Sequence, residues 1–189
     1  MSLDGTGVGA PVRRREDQRL LRGRGEYSDD INLAGQLHAA MVRSPHAHAD
    51  LKSVDIQAAA SFPGVVAVLT GADYSADGIG DLGHGANPAG AEEWQQPAFV
   101  NRDETEPFDK AQPPVIRGRV RHAGEIVAVV IADTDAAARD AAGLVAVDYD
   151  TLPVVTDALA AIAPGAPVVW DECADNTPLD AEMGDQVTV

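Results

Sequence analysis

Between Ala72 and Gly118 the chain loses every hydrophobic period, and this stretch constrains the fold more than any other. Glycine and proline recur through it, as in GIGDLGHGANPAG and AQPPVI. A connection of that length without a period is a functional or docking loop, or a partly disordered one. It separates two blocks that each read strand–helix–strand. In the first block, residues 36–42 alternate, with Leu37, Ala39 and Met41 on one side and His38, Ala40 and Val42 on the other. That period of two marks a strand. A second strand is expected near Asp50–Val54. Asp55 is a candidate N-cap for a short helix reaching Ser61, Pro63-Gly64 ends that helix, and Val65–Leu69 is a compact apolar strand. In the second block, Ile126–Ala132 is the strongest strand of the chain. Asp133-Thr134 leads into an alanine-rich helix up to about Gly143, and Leu144–Tyr149 is the closing strand. The blocks predict an α+β fold: small mixed sheets, with two strand–helix–strand units flanking one irregular insert at about 72–118.

Outside the blocks, a helical candidate covers Glu16–Leu21 and another lies near Asp157–Ile162. The last three residues, Val187-Thr188-Val189, read as a strand cut short. Aromatic residues make up only 4% of the 189, so the core must come mainly from Val, Leu, Ile and Ala. Cys173 is the single cysteine, which excludes an intrachain disulfide and a thiolate cluster for zinc or iron–sulfur and suits a reducing cytoplasm. No apolar run approaches the roughly 20 residues of a membrane span. The N-terminus also lacks the apolar core of a signal peptide.

The net charge of −16 is uneven. Six arginines against three carboxylates leave residues 1–24 at +3, so the remainder carries −19. That remainder repels phosphate, which argues against nucleic acid and anionic membrane as partners. The cluster of Arg13, Arg14, Arg15, Arg19, Arg22 and Arg24 is either a salt-bridging surface toward an acidic partner chain or a solvated arm.

Four features could carry chemistry. Gly5, Gly7 and Gly9 suggest a dinucleotide fingerprint, but that motif needs a preceding strand and a following helix, and Pro11 follows instead. His46 and His48 in RSPHAHAD, with His38 upstream and Asp50 downstream, have the spacing of metal ligands on one strand face. The opposing reading is a hydrogen-bonded turn bent by Pro45. The carboxylate pairs Asp29-Asp30, Glu92-Glu93 and Asp148/Asp150 lie in exposed-looking turns and strand ends, without the burial that separates pKa values for acid–base work. Cys173 lacks a positioned base in its own segment. No catalytic, cofactor-binding or metal-ligating residue is assigned from these patterns.

Six segments in order resemble one family: RREDQRLLRGRGEYSDD, RSPHAHA, FPGVVAVLTGAD, VRHAGEIVAVVIAD, VDYDTLPVVTD and the closing MGD. They resemble the start of the large subunits of the xanthine dehydrogenase, aldehyde oxidase and carbon monoxide dehydrogenase group. The resemblance covers roughly residues 9–185 and implies the α/β-hammerhead fold. It marks Gly23, Gly25 and Tyr27 before the first strand, Arg43, Pro45, His46 and His48 at the turn after it, and Gly124-Glu125 before the main strand. These are structural or interface candidates. Ile126 stands where the family often has proline, and Ala86–Pro114 matches poorly. The implied division is an arginine-rich arm at 1–22, the hammerhead at 23–155 and a connector at 156–189. The implied whole-enzyme activity is oxidative hydroxylation of an aldehyde, an N-heterocycle or carbon monoxide. It would use molybdenum–molybdopterin held by the remainder of the subunit, with iron–sulfur clusters and FAD on partner chains or domains. The chain itself is expected to be catalytically silent, and an alternative is a stand-alone interaction or small-ligand module with this fold.

Overall fold

The computed structural model describes residues 14–83 and 100–182. The chain divides into two compact units, one ending at Gln36 and one beginning at Leu37. In the described part of the first, helix α1 spans Asp17–Leu20 and a 3-10 turn spans Ser28–Asp30.

The second unit holds two three-stranded sheets. Strands β1 (His38–Arg43), β5 (Ile126–Ala132) and β3 (Val65–Thr70) form the first, in the order β1-β5-β3. Strands β4 (Arg119–Val120), β2 (Ala49–Asp55) and β6 (Ala146–Thr151) form the second, in the order β4-β2-β6. Every strand pair is antiparallel. Each expected strand–helix–strand unit is present, but its two strands enter different sheets. Helix α2 (Gln57–Ala60) carries the chain from β2 to β3, and helix α4 (Asp135–Ala142) carries it back from β5 to β6. The two helices thus stitch the sheets together.

Alanine makes this stitching close. Ala138 and Ala141 of α4 and Ala59 of α2 are fully buried, because a methyl group lets a helix approach a sheet closely. Ala59 and Ala141 pack with Val68 and Val130 into one core, flanked by Val42, Ile56, Phe62 and Val145. A second core joins Val127 at one end of β5 to Ile116, Val120, Leu51, Val147 and Tyr149, which ties the first sheet to the second. The central strand β5 is buried or half-buried throughout, which is why its sequence is continuously apolar rather than alternating.

Local signals act as expected at α4, where Thr134 Oγ1 accepts a hydrogen bond from Ala137 N at 3.1 Å. Asp55 acts differently: Ile56 takes the N-cap position of α2, and Asp55 Oδ1 accepts from Gln57 N at 3.0 Å. Helix α5 (Ala158–Ala161) is capped by Asp157. The expected terminal strand at 187–189 lies outside the described residues.

Within the stretch expected to be irregular, the described parts are tied down without forming a sheet. Helix α3 (Gly71–Ala76) starts there, with the Asp73 carboxylate accepting from Thr70 N at 2.8 Å. Leu82 and Gln112 exchange backbone hydrogen bonds at 2.8 and 2.7 Å. Phe108 N donates to Pro178 O at 2.8 Å, and Arg102 pairs with Asp180. The Leu82–Gln112, Phe108–Pro178 and Arg102–Asp180 bonds link positions too far apart in sequence to leave a local period.

Candidate functional site

Three of the family-marked residues of the second unit, Arg43, Gly124 and Glu125, meet at one junction, where the loop between β1 and β2 meets the turn before β5. Ser44 is buried at its centre. Its N–H donates to Glu125 O at 2.9 Å, and its carbonyl accepts from Gly124 N at 2.9 Å. Arg43 Nη1 donates to Gly124 O at 2.7 Å. Gly124 has φ +95°, a left-handed conformation that glycine adopts without steric penalty. Pro45 is exposed, and His46 N donates back to Ser44 Oγ at 3.1 Å, closing the bend.

The Glu125 carboxylate is buried and its oxygens face the turn it follows. Oε2 accepts from Arg121 N and from His122 N, the latter at 3.3 Å, while Oε1 lies 3.4 Å from His122 Nδ1. A buried carboxylate is costly unless its oxygens are hydrogen-bonded, and this turn supplies the donors. The carboxylate is therefore a fastener for residues 121–125.

His46 and His48 do not act as a pair. His46 meets the Tyr149 ring edge-on, with centroids 4.7 Å apart. His48 is buried, and its Nδ1 lies 3.0 Å from Pro153 O. A carbonyl only accepts, so Nδ1 carries the proton and, in the neutral ring, Nε2 is the bare nitrogen. Nε2 has no hydrogen-bond partner among the described residues. His48 O also accepts from Leu152 N at 3.0 Å, so this residue pins the segment after β6 from two sides. Among the described residues no group of three or more His, Cys, Asp or Glu side chains is placed to hold a metal ion.

The first unit holds the other marked residues. Gly23 has φ +67°. A Cβ on Gly25 would stand 2.9 Å from Leu20 Cδ2. Tyr27 is exposed, and its N–H donates to Asp30 Oδ2 at 3.0 Å. Of the remaining carboxylates, Asp150 lies 3.7 Å from Lys52, whereas Glu92-Glu93, like Gly5, Gly7 and Gly9, lies outside the described residues.

Sequence reasoning missed a basic latch on β4. Arg119 forks onto the Asp50 carboxylate at 2.6 and 3.2 Å and reaches Asp171 at 3.1 Å. Hydrogen bonding to Arg119 holds the Asp50 carboxyl below its ordinary range. Arg121 lies 3.6 Å from the centroid of the Trp170 ring and donates to Val169 O at 3.2 Å. Burial, with Arg119 beside it, lowers the Arg121 pKa. Lys110 adds an ion pair to Glu172 at 2.7 Å. No short motif could have shown these partners, because they lie about fifty or more residues apart.

Beside the latch is an open pocket of about 350 Å³, lined chiefly by Phe108, Val155, Val169, Trp170 and Cys173. Two of its polar neighbours are already engaged: Asn176 bonds Val169 N, Ala161 O and Pro167 O, and Asp157 caps α5. Burial, with Asp175 adding to it, pushes the Cys173 thiol up, away from a reactive thiolate. No described helix is long and apolar enough to cross a membrane.

Comparison with known proteins accounts for this arrangement. Residues 22–100 and 93–153 match the family model described as "Aldehyde oxidase and xanthine dehydrogenase, a/b hammerhead domain". The chain is 39% identical over 171 residues to the nicotine 6-hydroxylase large subunit of Paenarthrobacter nicotinovorans, covering 89% of this chain and 18% of that one. It is 37% identical to the carbon monoxide dehydrogenase large chain of Afipia carboxidovorans, with the same two shares. Among solved structures, quinoline 2-oxidoreductase from Pseudomonas putida 86 superposes with a TM-score of 0.68 at 39% identity, over 87% of this chain and 19% of that one. A Cu,Mo-carbon monoxide dehydrogenase gives 0.70 at 33% identity, over 91% and 19%. The chain thus spans about a fifth of the length of the relatives it matches. It belongs to the α/β-hammerhead family of the aldehyde oxidases and xanthine dehydrogenases.

Proposed function

We propose that this chain is the scaffold and interface domain of a molybdenum-dependent hydroxylase large subunit and catalyses nothing by itself. The observation that carries the reading is the junction of Arg43, Ser44, Gly124 and Glu125. There the family-marked side chains are consumed in holding backbone, with Glu125 Oε2 accepting from two main-chain N–H groups. A general acid or base needs a free face toward substrate. In this reading molybdenum–molybdopterin is held by the remainder of the subunit, and iron–sulfur clusters and FAD sit on partner chains or domains. The complex works in the cytoplasm and oxidises an aldehyde, an N-heterocycle or carbon monoxide. The arginine-rich arm and the 72–118 insert are its docking elements, and residues 156–189 lead toward the cofactor-binding part.

The test is elemental analysis with pterin fluorescence on two samples, the purified 189-residue chain and the assembly containing the full subunit. Molybdenum and pterin are expected in the assembly only. Stoichiometric amounts in the chain alone would overturn the claim of silence.

The pocket beside Trp170 favours a second reading, a small-ligand module on the same fold. An apolar, mostly aromatic ligand would fit its lining. Such a ligand would raise the unfolding midpoint of the chain with concentration, and a screen of such compounds without any shift would remove this reading.

A further inference from the structure

We infer that the face of the first sheet turned away from α2 and α4 is the surface on which the remainder of the large subunit packs, through an apolar, uncharged patch of its own. This rests on the reading of the chain as one domain of that subunit. The face follows from the register. Ala39 of β1 and Ala67 of β3 both pair with Ile131 of β5, and Met41 and Leu69 both pair with Val129. Directly paired residues on antiparallel strands point to the same side. The six side chains therefore form two adjacent rows of three across the whole sheet. The alternate residues Val68 and Val130 lie in the core with Ala59 of α2 and Ala141 of α4, so both helices cover the opposite side.

None of the six is charged or polar. Met41 and Leu69 remain 46% and 40% exposed, and Ala39 is exposed as well. Arg43, exposed at the end of β1 where the register shifts, is a polar neighbour of the patch. An apolar centre with a polar rim is the anatomy of a protein interface. Antiparallel sheets commonly leave one face to water, but that face then alternates to polar residues, and this one does not.

Two facts identify the occupant. Relatives of this architecture run more than five times the length matched here, which supplies polypeptide to cover the face. The net charge of −16 opposes apposition of a second copy. With no charge on the face, nothing there would complement a charged partner.

Methionine oxidation tests this without altering the protein. Met41 sulfoxide formation by dilute peroxide is followed by mass spectrometry in the 189-residue chain and in the full subunit within its assembly. An exposed thioether oxidises readily and a buried one is shielded, so a slowing on the order of tenfold or more is expected in the subunit. Equal rates would overturn the inference while leaving the domain reading intact. Protection that appears in the isolated chain as its concentration rises would assign the face to a second copy and also overturn it. If the chain occurs only as a free polypeptide, the domain reading fails and this inference with it. As a second arm, Met41→Asp/Leu69→Asp is placed in both forms, with Leu144→Asp on the 43% exposed Leu144 as control. The double variant should leave the far-UV circular dichroism of the isolated chain unchanged and lower the yield of assembled subunit several-fold, with the control unaffected. An unchanged yield would count against the face.

Discussion

The Arg121 guanidinium lies over the Trp170 ring at 3.6 Å from its centroid, and this stack fastens the segment after α5 to strand β4. Arg121 also donates to Val169 O. Trp170→Leu keeps apolar area and removes the stack, so it is expected to cost about 1 kcal/mol. Arg121→Ala also leaves the Val169 carbonyl without this donor and should cost about 2 kcal/mol. Urea unfolding of the two variants checks the order.

Glu125 should be far less tolerant than its neighbours in the turn. Glu125→Ala leaves the N–H groups of Arg121 and His122 without their acceptor and is expected to destabilise by about 2–3 kcal/mol. Glu125→Gln retains one acceptor oxygen and should cost roughly half as much. Equal losses would show that one neutral acceptor oxygen does not hold the turn and that the charged carboxylate is required.

The Asp50–Arg119 pair predicts a component of acid sensitivity. The folded pKa of Asp50 is depressed, mainly through its hydrogen bond to Arg119. Its contribution is therefore complete above the unfolded pKa of about 3.9 and is lost as pH falls through the lower folded value. Between about pH 4 and pH 2 the native chain should lose more stability than Asp50→Asn does. Parallel stability curves would remove this assignment. The pair is partly exposed, so the difference is also expected to shrink with added salt.

Cys173 should be slow to react while the chain is folded. Burial raises its pKa and shields the sulfur. Modification by a disulfide reagent near pH 8 is expected to be at least about tenfold slower than after unfolding in urea. Comparable rates would mean that the segment carrying Cys173 opens freely.

Gly71 is fixed by space. A Cβ there would stand 2.8 Å from Arg117 Cγ and press on the Ile116 carbonyl. Gly71→Ala is expected to cost about 2 kcal/mol or more, as overpacked sites do. Gly118→Ala, with open space around it and no positive φ, should change stability by less than about 0.5 kcal/mol. Thermal unfolding of the pair distinguishes crowding from a general intolerance of the segment.

Much of the fold is legible because its signals are local. Ile126–Ala132 reads as one strand and is one. Thr134 announces α4 and caps it. Strands β1, β2 and β3 fall within two residues of their expected bounds. What stayed hidden depends on distant partners. The two-residue strand β4 has no period to detect and exists through its pairing with Ala49 and Asp50. One local signal also went unread: Thr70 and Asp73, three residues apart, cap helix α3. The histidines of RSPHAHAD have the spacing of ligands, yet one packs on Tyr149 and the other bonds Pro153, and no spacing rule could have found either partner.

The residues by themselves determined where strands and helices form, and the six ordered segments determined the family. Alternation, capping and glycine placement act within a few residues, so they are written in the chain. Only the tertiary structure decided that each strand–helix–strand unit spans two sheets, and that Ser44 and Glu125 share a junction. It also decided that Met41, Val129 and Leu69 share the face turned away from α2 and α4. Those choices follow from burial and pairing between residues far apart in sequence, whose free energy appears only once the whole chain is folded.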